Sequence, residues 1–242
     1  MNKLYVVGIG PGAAEEMTVR AMRALEACDV IVGYGVYVDL IRPLFPEKEY
    51  LQTAMRKEVE RCRAAIECAL RGKSVAVISS GDAGVYGMAG LVFELAQGLD
   101  VEIEVIPGVT AALSGGAALG APLTHDFAVI SLSDLLTPWE TIERRLECAA
   151  RADLCVVLYN PASRRRANHL KKACEILMRH ASAETVCGVA RNIGREGAQT
   201  QLMTLRDLSD FPADMFTTAF VGNQHTRMID GKMVTPRGYK DV

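Results

Sequence analysis

Short runs of β-branched and aliphatic residues alternate along most of this chain with longer segments whose apolar residues recur at helical spacing. That rhythm admits little besides a stack of parallel βαβ units. Residues 4–9 read as a strand, 15–27 as a helix and 29–32 as the next strand. Over 56–71, Val59, Cys62, Ile66 and Ala69 share a helical face, and Gly72 stands where a C-terminal cap belongs. A strand at 74–78, a helix at 85–96, a strand at 101–106 and a small-residue helix at 109–119 complete the first half.

The Gly- and Ala-rich stretch 114–122 (SGGAALGAP) interrupts the rhythm, which then restarts. The reading is therefore two α/β domains, 1–115 and 116–242, the first with a mainly parallel sheet. The second opens with a strand at 128–132 and a helix starting at Pro138, where Thr137 and Glu140 form a T-x-x-E capping box. Strands at 154–158 and 185–190 flank a helix over 165–180. Strand-like runs at 199–203 and 217–221, and two short runs about the hairpin signal Asp230-Gly231, make the second sheet mixed.

Composition narrows the partners. At 242 residues, 50% hydrophobic and 23% charged, the chain has material for a buried core, which excludes disorder. A formal charge of −2 supplies no global attraction to nucleic acid or an anionic membrane. The 7 cysteines form no C-x-x-C pair and read as small core residues of a reducing compartment. The 4 histidines make no close ligand cluster, so no protein-built metal site is expected. No apolar run is long enough to span a bilayer, and the start lacks a signal-peptide pattern, so the expected location is the cytoplasm.

Residues 8–13 (GIGPGA) satisfy G-x-G-x-x-[GA] between a strand and a helix, so a dinucleotide is one reading. Pro11 deletes a backbone N–H from the loop that would cradle pyrophosphate, and the second strand ends in Val32-Gly33-Tyr34 with no acid to read a ribose. A nucleoside-type ligand lacking pyrophosphate, or a tight turn that binds nothing, are the other readings. Residues 79–87 (SSGDAGVYG) form a second strand-end loop, in which Asp82 either caps a helix or binds a ribose hydroxyl or a cationic ligand. Residues 107–111 (PGVTA) form a third.

In the second half, Ser131, Ser133 and Asp134 of SLSDLLTPW lie between a strand and a helix, either as site residues or as an Asx or Ser turn. G-x-S-x-G is absent, so no serine triad follows. Arg164, Arg165 and Arg166 of YNPASRRR crowd the first turn of a helix, against its dipole. They either point into solvent or meet an anion, and arginine's bidentate match to carboxylate points to a polycarboxylate substrate.

Taken together, GIGPG, TVRA, SSGDAGVYGMAGL, IPGVTA, GAPLTHDF, SLSDLLTPW, YNPAS and TPRGY resemble the tetrapyrrole methylases along essentially the whole chain. These are S-adenosylmethionine-dependent enzymes of corrin and sirohaem synthesis. The loop wording is similar to the branch that methylates C17 of a precorrin-3-level macrocycle with ring contraction, and leans to its cobalt-containing substrate. One departure is Asn160-Pro161-Ala162-Ser163, where relatives usually carry N-P-R-S.

The resemblance implies a cofactor held between the two domains, usually in a homodimer. It implies first-half contacts from Ile9, Gly10 and Pro11, from Gly81, Asp82, Val85 and Tyr86, and from Thr110 and Ala111. Second-half contacts would be Ser131, Leu132, Tyr159, Ala190, Thr217 and Thr218. His125, Ser133 and Asp134 are nominated as acid-base or orienting residues, and Arg191 and Arg195 join Arg164 to Arg166 as candidates for the substrate's carboxylates. Open alternatives are a corrin or sirohaem methylase of other regiochemistry, an NAD-dependent oxidoreductase favoured by the glycine fingerprint alone, and a non-catalytic tetrapyrrole-binding protein.

Overall fold

The structure is a computed structural model that describes residues 3–163 and 166–240. It divides into two compact units, Met1–Thr110 and Ala111–Val242.

The first unit runs β1 (Lys3–Gly8), a short 3-10 turn (Ala14–Glu16), α1 (Val19–Ala27), β2 (Val30–Tyr34), α2 (Gly35–Ile41), β3 (Glu49–Thr53), α3 (Glu58–Leu70), β4 (Val75–Ser79), α4 (Ala89–Leu95) and β5 (Glu102–Ile106). The sheet order is β3-β2-β4-β1-β5 and every pairing is parallel. Parallel sheets need both faces covered, which is why β4 is buried along its whole length. Alternate side chains serve opposite faces. Leu4, Val6, Val75 and Val77 pack with Cys62 and Ile66 of α3 and Val92 of α4. Val7, Ile31, Ala76 and Ile78 pack with Leu25 of α1 and Val38 and Ile41 of α2.

The helix expected over 15–27 is divided, because Thr18 is extended and its hydroxyl accepts the Ala21 N–H at 3.0 Å, so α1 starts afresh after it. The elements α2 and β3 escaped sequence reading. The first is 7 residues with glycine at its start, and the second is a partly exposed edge strand with little apolar character.

The second unit contains α5 (Ala111–Leu119), β6 (Gly120–Ala121), β7 (Phe127–Ser131), α6 (Trp139–Arg151), β8 (Cys155–Tyr159), α7 (His169–Leu177), β9 (Val186–Arg191), β10 (Gln199–Thr204), α8 (Leu205–Ser209), β11 (Thr217–Val221), β12 (Arg227–Ile229) and β13 (Lys232–Val234). Its main sheet, β10-β9-β11-β8-β7, is mixed: β7 and β8 are parallel, and the other neighbours are antiparallel. Ile142 and Leu146 of α6, Leu170 and Leu177 of α7, and Leu205 of α8 fill one side of the core. Ala112 and Leu119 of α5 fill the other, with Val157 and Phe220. Asp230 and Gly231 both adopt positive φ (48° and 72°), the turn the Asp-Gly signal demands, and β12 pairs antiparallel with β13.

Two expectations need correction here. The small-residue stretch that suggested a boundary near 115 is no linker. It forms α5, a helix lying close on the second sheet, where a Cβ at Gly115 would come within 2.8 Å of the Phe220 ring. The division therefore precedes α5. Nor does Thr137 cap α6: Pro138 holds the N-cap position with no side-chain bond. The reciprocal capping box is on α8, between Thr204 and Asp207. No helix among the described residues is long and apolar enough to cross a membrane.

Candidate functional site

Open α/β sheets gather ligands beyond the carboxyl ends of their strands. In the first unit the loops after β4, β1 and β5 lie side by side there, bound to one another through the backbone. Ile9 N–H donates to Ser79 O at 2.9 Å, and Gly10 and Gly81 exchange hydrogen bonds at 3.1 and 2.7 Å. The Asp82 carboxylate accepts Gly84 N–H on Oδ1 at 2.8 Å and Gly108 N–H on Oδ2 at 2.9 Å. Thr18 Oγ1–H donates to Pro107 O at 3.2 Å, tying α1 to the third loop.

The glycines now have a physical reason. A Cβ on Gly108 would sit 2.2 Å from Gly81 O, and one on Gly8 would sit 2.7 Å from Gly108 N. Gly10 takes φ +73°. They permit loop-to-loop contact, and the N–H groups a pyrophosphate would need at Gly10, Gly81, Gly84 and Gly108 are already donated inside the protein. Such a donor set does not fit a dinucleotide and does fit a ligand without phosphate. The Asp82 side chain does not cap a helix, because α4 begins only at Ala89. Between them Tyr86 is exposed at φ +54°, Val85 is half-buried, and Met88 N–H donates to the buried Ser79 hydroxyl at 3.2 Å.

Glu16, which the motifs did not single out, stands beside this edge: its backbone oxygen would lie 2.8 Å from a Cβ on Gly10. Its Oε2 is buried without a hydrogen-bond partner, and burial, then the charge of Glu15, pushes its carboxyl above the usual range.

In the second unit, register aligns the expected residues along one sheet edge. Ser131 is opposite Tyr159, Ala190 is opposite Thr218, and Arg191 is opposite Thr217. Leu132 is fully buried and donates its N–H to Tyr159 O at 2.8 Å, while Tyr159 Oη accepts the Ala112 N–H at 2.6 Å. Ala111 opens α5, next to that bond, and Thr110 ends the first unit. Thr217 and Thr218 are buried, and the Thr217 hydroxyl is turned to Asp214 Oδ1 at 2.8 Å.

Beyond this edge the β7 and β8 loops form a polar cluster. Asn160, at φ +52°, donates from Nδ2 to Ser131 Oγ at 3.0 Å. Arg166 donates to the Ser133 hydroxyl, and to Ser163 Oγ at 3.2 Å, and its guanidinium lies 3.9 Å from Asp134 Oδ1. His169, the first residue of α7, sits with Nδ1 2.8 Å from Leu132 O and Nε2 3.7 Å from Asp134 Oδ2. The Trp139 ring lies 4.7 Å from the imidazole.

The three nominated acid-base residues are not brought together. Ser133 and Asp134 follow the carboxyl end of β7, whereas His125 precedes its amino end, roughly 15 Å away by strand rise, and accepts the Asp126 N–H. Another histidine, His169, takes the place beside Asp134. Only the pairing of β7 with β8 and the start of α7 at a strand-end loop could have pointed to it.

The arginines also divide. Arg191, named as a candidate for the substrate's carboxylates, is engaged internally, with Nε 2.8 Å and Nη2 2.5 Å from Asp214 Oδ2. Burial would raise the Asp214 carboxyl, but Thr217, Phe216 N–H and Arg191 outweigh it and hold it below the usual range. Arg195 stacks over Phe216 at 5.6 Å. Arg164 and Arg165 lie outside the described residues.

A sequence profile of the Tetrapyrrole (Corrin/Porphyrin) Methylases matches residues 3–209. Over 238 residues the chain is 50% identical to a probable cobalt-factor III C(17)-methyltransferase of Salmonella typhimurium, covering 98% of this chain and 99% of that protein. It is 39% identical over 246 residues to a precorrin-3B C(17)-methyltransferase of Sinorhizobium sp, covering 98% and 96%. The crystal structure of the methyltransferase CobJ is 38% identical and matches with a TM-score of 0.91, over 96% of this chain and 99% of that one. With near-complete coverage by both sequence and fold, the chain belongs to the tetrapyrrole (corrin/porphyrin) methylases.

Proposed function

We propose that this protein is an S-adenosylmethionine-dependent C-methyltransferase of corrin synthesis that methylates C17 of a precorrin-3-level tetrapyrrole with ring contraction. The observation that carries this reading is the 50% identity, across nearly the whole of both chains, to a relative named for that reaction. The cobalt-bound substrate is preferred because identity falls to 39% against the relative named for precorrin-3B. The first unit supports the cofactor: the N–H groups of Gly10, Gly81, Gly84 and Gly108 are donated inside the protein and do not cradle a pyrophosphate, and the Asp82 carboxylate suits a cationic ligand.

Ile9, Gly10, Pro11, Gly81, Asp82, Val85, Tyr86 and Thr110 would hold the cofactor from the first unit, and Ala111, Ser131, Leu132, Tyr159, Ala190 and Thr218 from the second. When bound, S-adenosylmethionine supplies a methyl group on a sulfonium. The protein's part is alignment and exclusion of water, which needs no Ser, Cys or His nucleophile. Arg166, with Arg164, Arg165 and Arg195, would receive the macrocycle's carboxylates. Thr217 and Arg191, both committed to Asp214, serve the sheet edge as structural supports.

The test is incubation with labelled S-adenosylmethionine and the metal-free and cobalt-bound trimethylated precursors side by side. Label in a ring-contracted product methylated at C17, by mass spectrometry and NMR, is the expected result. Methylation at another carbon, or none with either precursor, would overturn it. Sedimentation of the purified protein checks the accompanying expectation of a homodimer.

A further inference from the structure

Two successive leucines stand in solvent beside the polar cluster of the second unit. Leu135 is 65% exposed and Leu136 is 93% exposed, on the bend between β7 and α6. A lone exposed leucine carries no meaning, but here two adjoin, and a second apolar pair, Met215 and Phe216, is exposed just before β11. We propose that Leu135 and Leu136 form the seat for one face of the tetrapyrrole ring, with Met215 and Phe216 as its second support. This inference deepens the methyltransferase reading above and rests on it.

The bend is anchored on both sides. Before it, Leu132 is buried and donates its N–H to Tyr159 O, and the Ser133 N–H donates to Ser131 Oγ at 3.2 Å. After it, the Pro138 carbonyl accepts the Thr141 N–H at 3.0 Å as α6 begins. The leucines are thus presented on a tethered backbone. Phe216 is tied in the same way, its N–H donating to Asp214 Oδ1 at 3.0 Å and its carbonyl accepting the Asn192 N–H at 3.2 Å. Because β7 and β11 flank β8, the carboxyl end of β7 and the amino end of β11 share one sheet edge. The two apolar pairs therefore follow strands two spacings apart, about 10 Å.

Each pair has an arginine beside it. Arg166 donates to the Ser133 hydroxyl at the start of the bend, and Arg195 lies over the Phe216 ring at 5.6 Å. An apolar surface with cations at its margins complements a ring that is apolar across its faces and anionic at its rim. The two acids beside these arginines are engaged: Asp134 faces Arg166 at 3.9 Å, and Asp214 holds Arg191. Four partly exposed side chains also fall short of the roughly 800 Å² per partner that a stable protein interface buries, so the occupant is a small flat ligand and not a second protein.

The test measures binding of the cobalt-bound trimethylated precursor through Trp139, the only tryptophan, three residues beyond Leu136. Its fluorescence is quenched by energy transfer to a bound tetrapyrrole, which needs no turnover. Wild type is compared with Leu136→Ser, with Leu135→Ser/Leu136→Ser, and with Leu136→Met, which keeps apolar volume. The expected result is a tetrapyrrole Kd and KM raised about tenfold in the single serine variant and further in the double, the loss of one leucine's burial. Lost ground-state contact leaves kcat within about threefold, and Leu136→Met restores affinity. Calorimetric affinity for S-adenosylhomocysteine stays unchanged. So does the melting temperature of Leu136→Ser, because that side chain is almost wholly exposed.

Wild-type affinity in the double variant overturns the proposal. A change of oligomeric state in that variant, by sedimentation, overturns it as well, since the leucines then cover a second copy of the chain. A wild type that binds the precursor through the leucines yet methylates another carbon, or none, removes the reaction assignment and leaves the seat standing. A wild type that binds no tetrapyrrole overturns both.

Discussion

Asp82 and Gly108 are joined by a 2.9 Å hydrogen bond from the Gly108 N–H to Oδ2, which couples the loop after β4 to the loop after β5. The other oxygen holds Gly84 within the Asp82 loop itself, so one carboxylate sets the shape of two loops.

Removing that carboxylate should therefore loosen the edge as well as remove a charge. Asp82→Ala is expected to weaken S-adenosylhomocysteine binding by about tenfold or more, since two N–H groups lose their acceptor at about 1–3 kcal/mol for each one left unsatisfied. Asp82→Asn, which keeps one acceptor oxygen, should fall between. Calorimetry measures both, and an unchanged affinity in the alanine variant would remove these loops from the cofactor site.

The glycines offer a paired comparison. Gly108→Ala drives a methyl group to 2.2 Å from Gly81 O and is expected to lower the melting temperature strongly. Gly90, inside α4, has open space around a Cβ, so Gly90→Ala should stabilise by about 0.5–1 kcal/mol through helix propensity. Thermal melts of the two variants should move in opposite directions.

Asp214 should contribute to acid stability. Its folded-state value is depressed, so its contribution is complete above the unfolded value near 3.9 and is lost as pH falls through the folded one. Urea titrations between pH 2 and 7 should show a shallower acid limb in Asp214→Asn than in wild type.

Glu16 has the reverse sign. Its folded-state value is raised, so the native state binds the proton more tightly, and stability declines as pH rises from the unfolded value through the folded one. Glu16→Gln should be more stable than wild type at pH 7 and lose that advantage below about pH 4. Equal stability at both pH values would show that the buried oxygen is hydrated.

Thiol chemistry separates core from surface. Burial pushes Cys28 and Cys62 up to about 11 and Cys174 up to about 12, and raises Cys187 further, so none of these forms thiolate near neutrality. The exposed Cys148 should label first in the native protein, followed by the half-buried Cys68. Mass spectrometry after alkylation should find the buried five modified only on denaturation.

How much of this was legible beforehand varies by element. Most strands and helices of the parallel half, the mixed second sheet and the Asp230-Gly231 hairpin follow from periodicity and turn chemistry, which are local. Short or weakly apolar pieces such as α2 and β3 left too faint a pattern to read. A threonine caps a helix only from its boundary position, and at the start of α6 that position belongs to Pro138.

The sequence by itself determined the α/β class, the family resemblance, and the short list of strand-end loops where a ligand can sit. Only the tertiary structure decided which residues of that list meet. Sheet order β4-β1-β5 makes Gly8, Gly81 and Gly108 neighbours, and the Gly81 and Gly108 N–H groups are donated within that cluster, a contact set by strand pairing that no local spacing encodes. The parallel pairing of β7 with β8 likewise brings His169 to Asp134 and leaves His125 at the opposite end of its strand. A strand's direction in the sheet determines which end its flanking residues occupy, and that direction is fixed by packing of the whole unit.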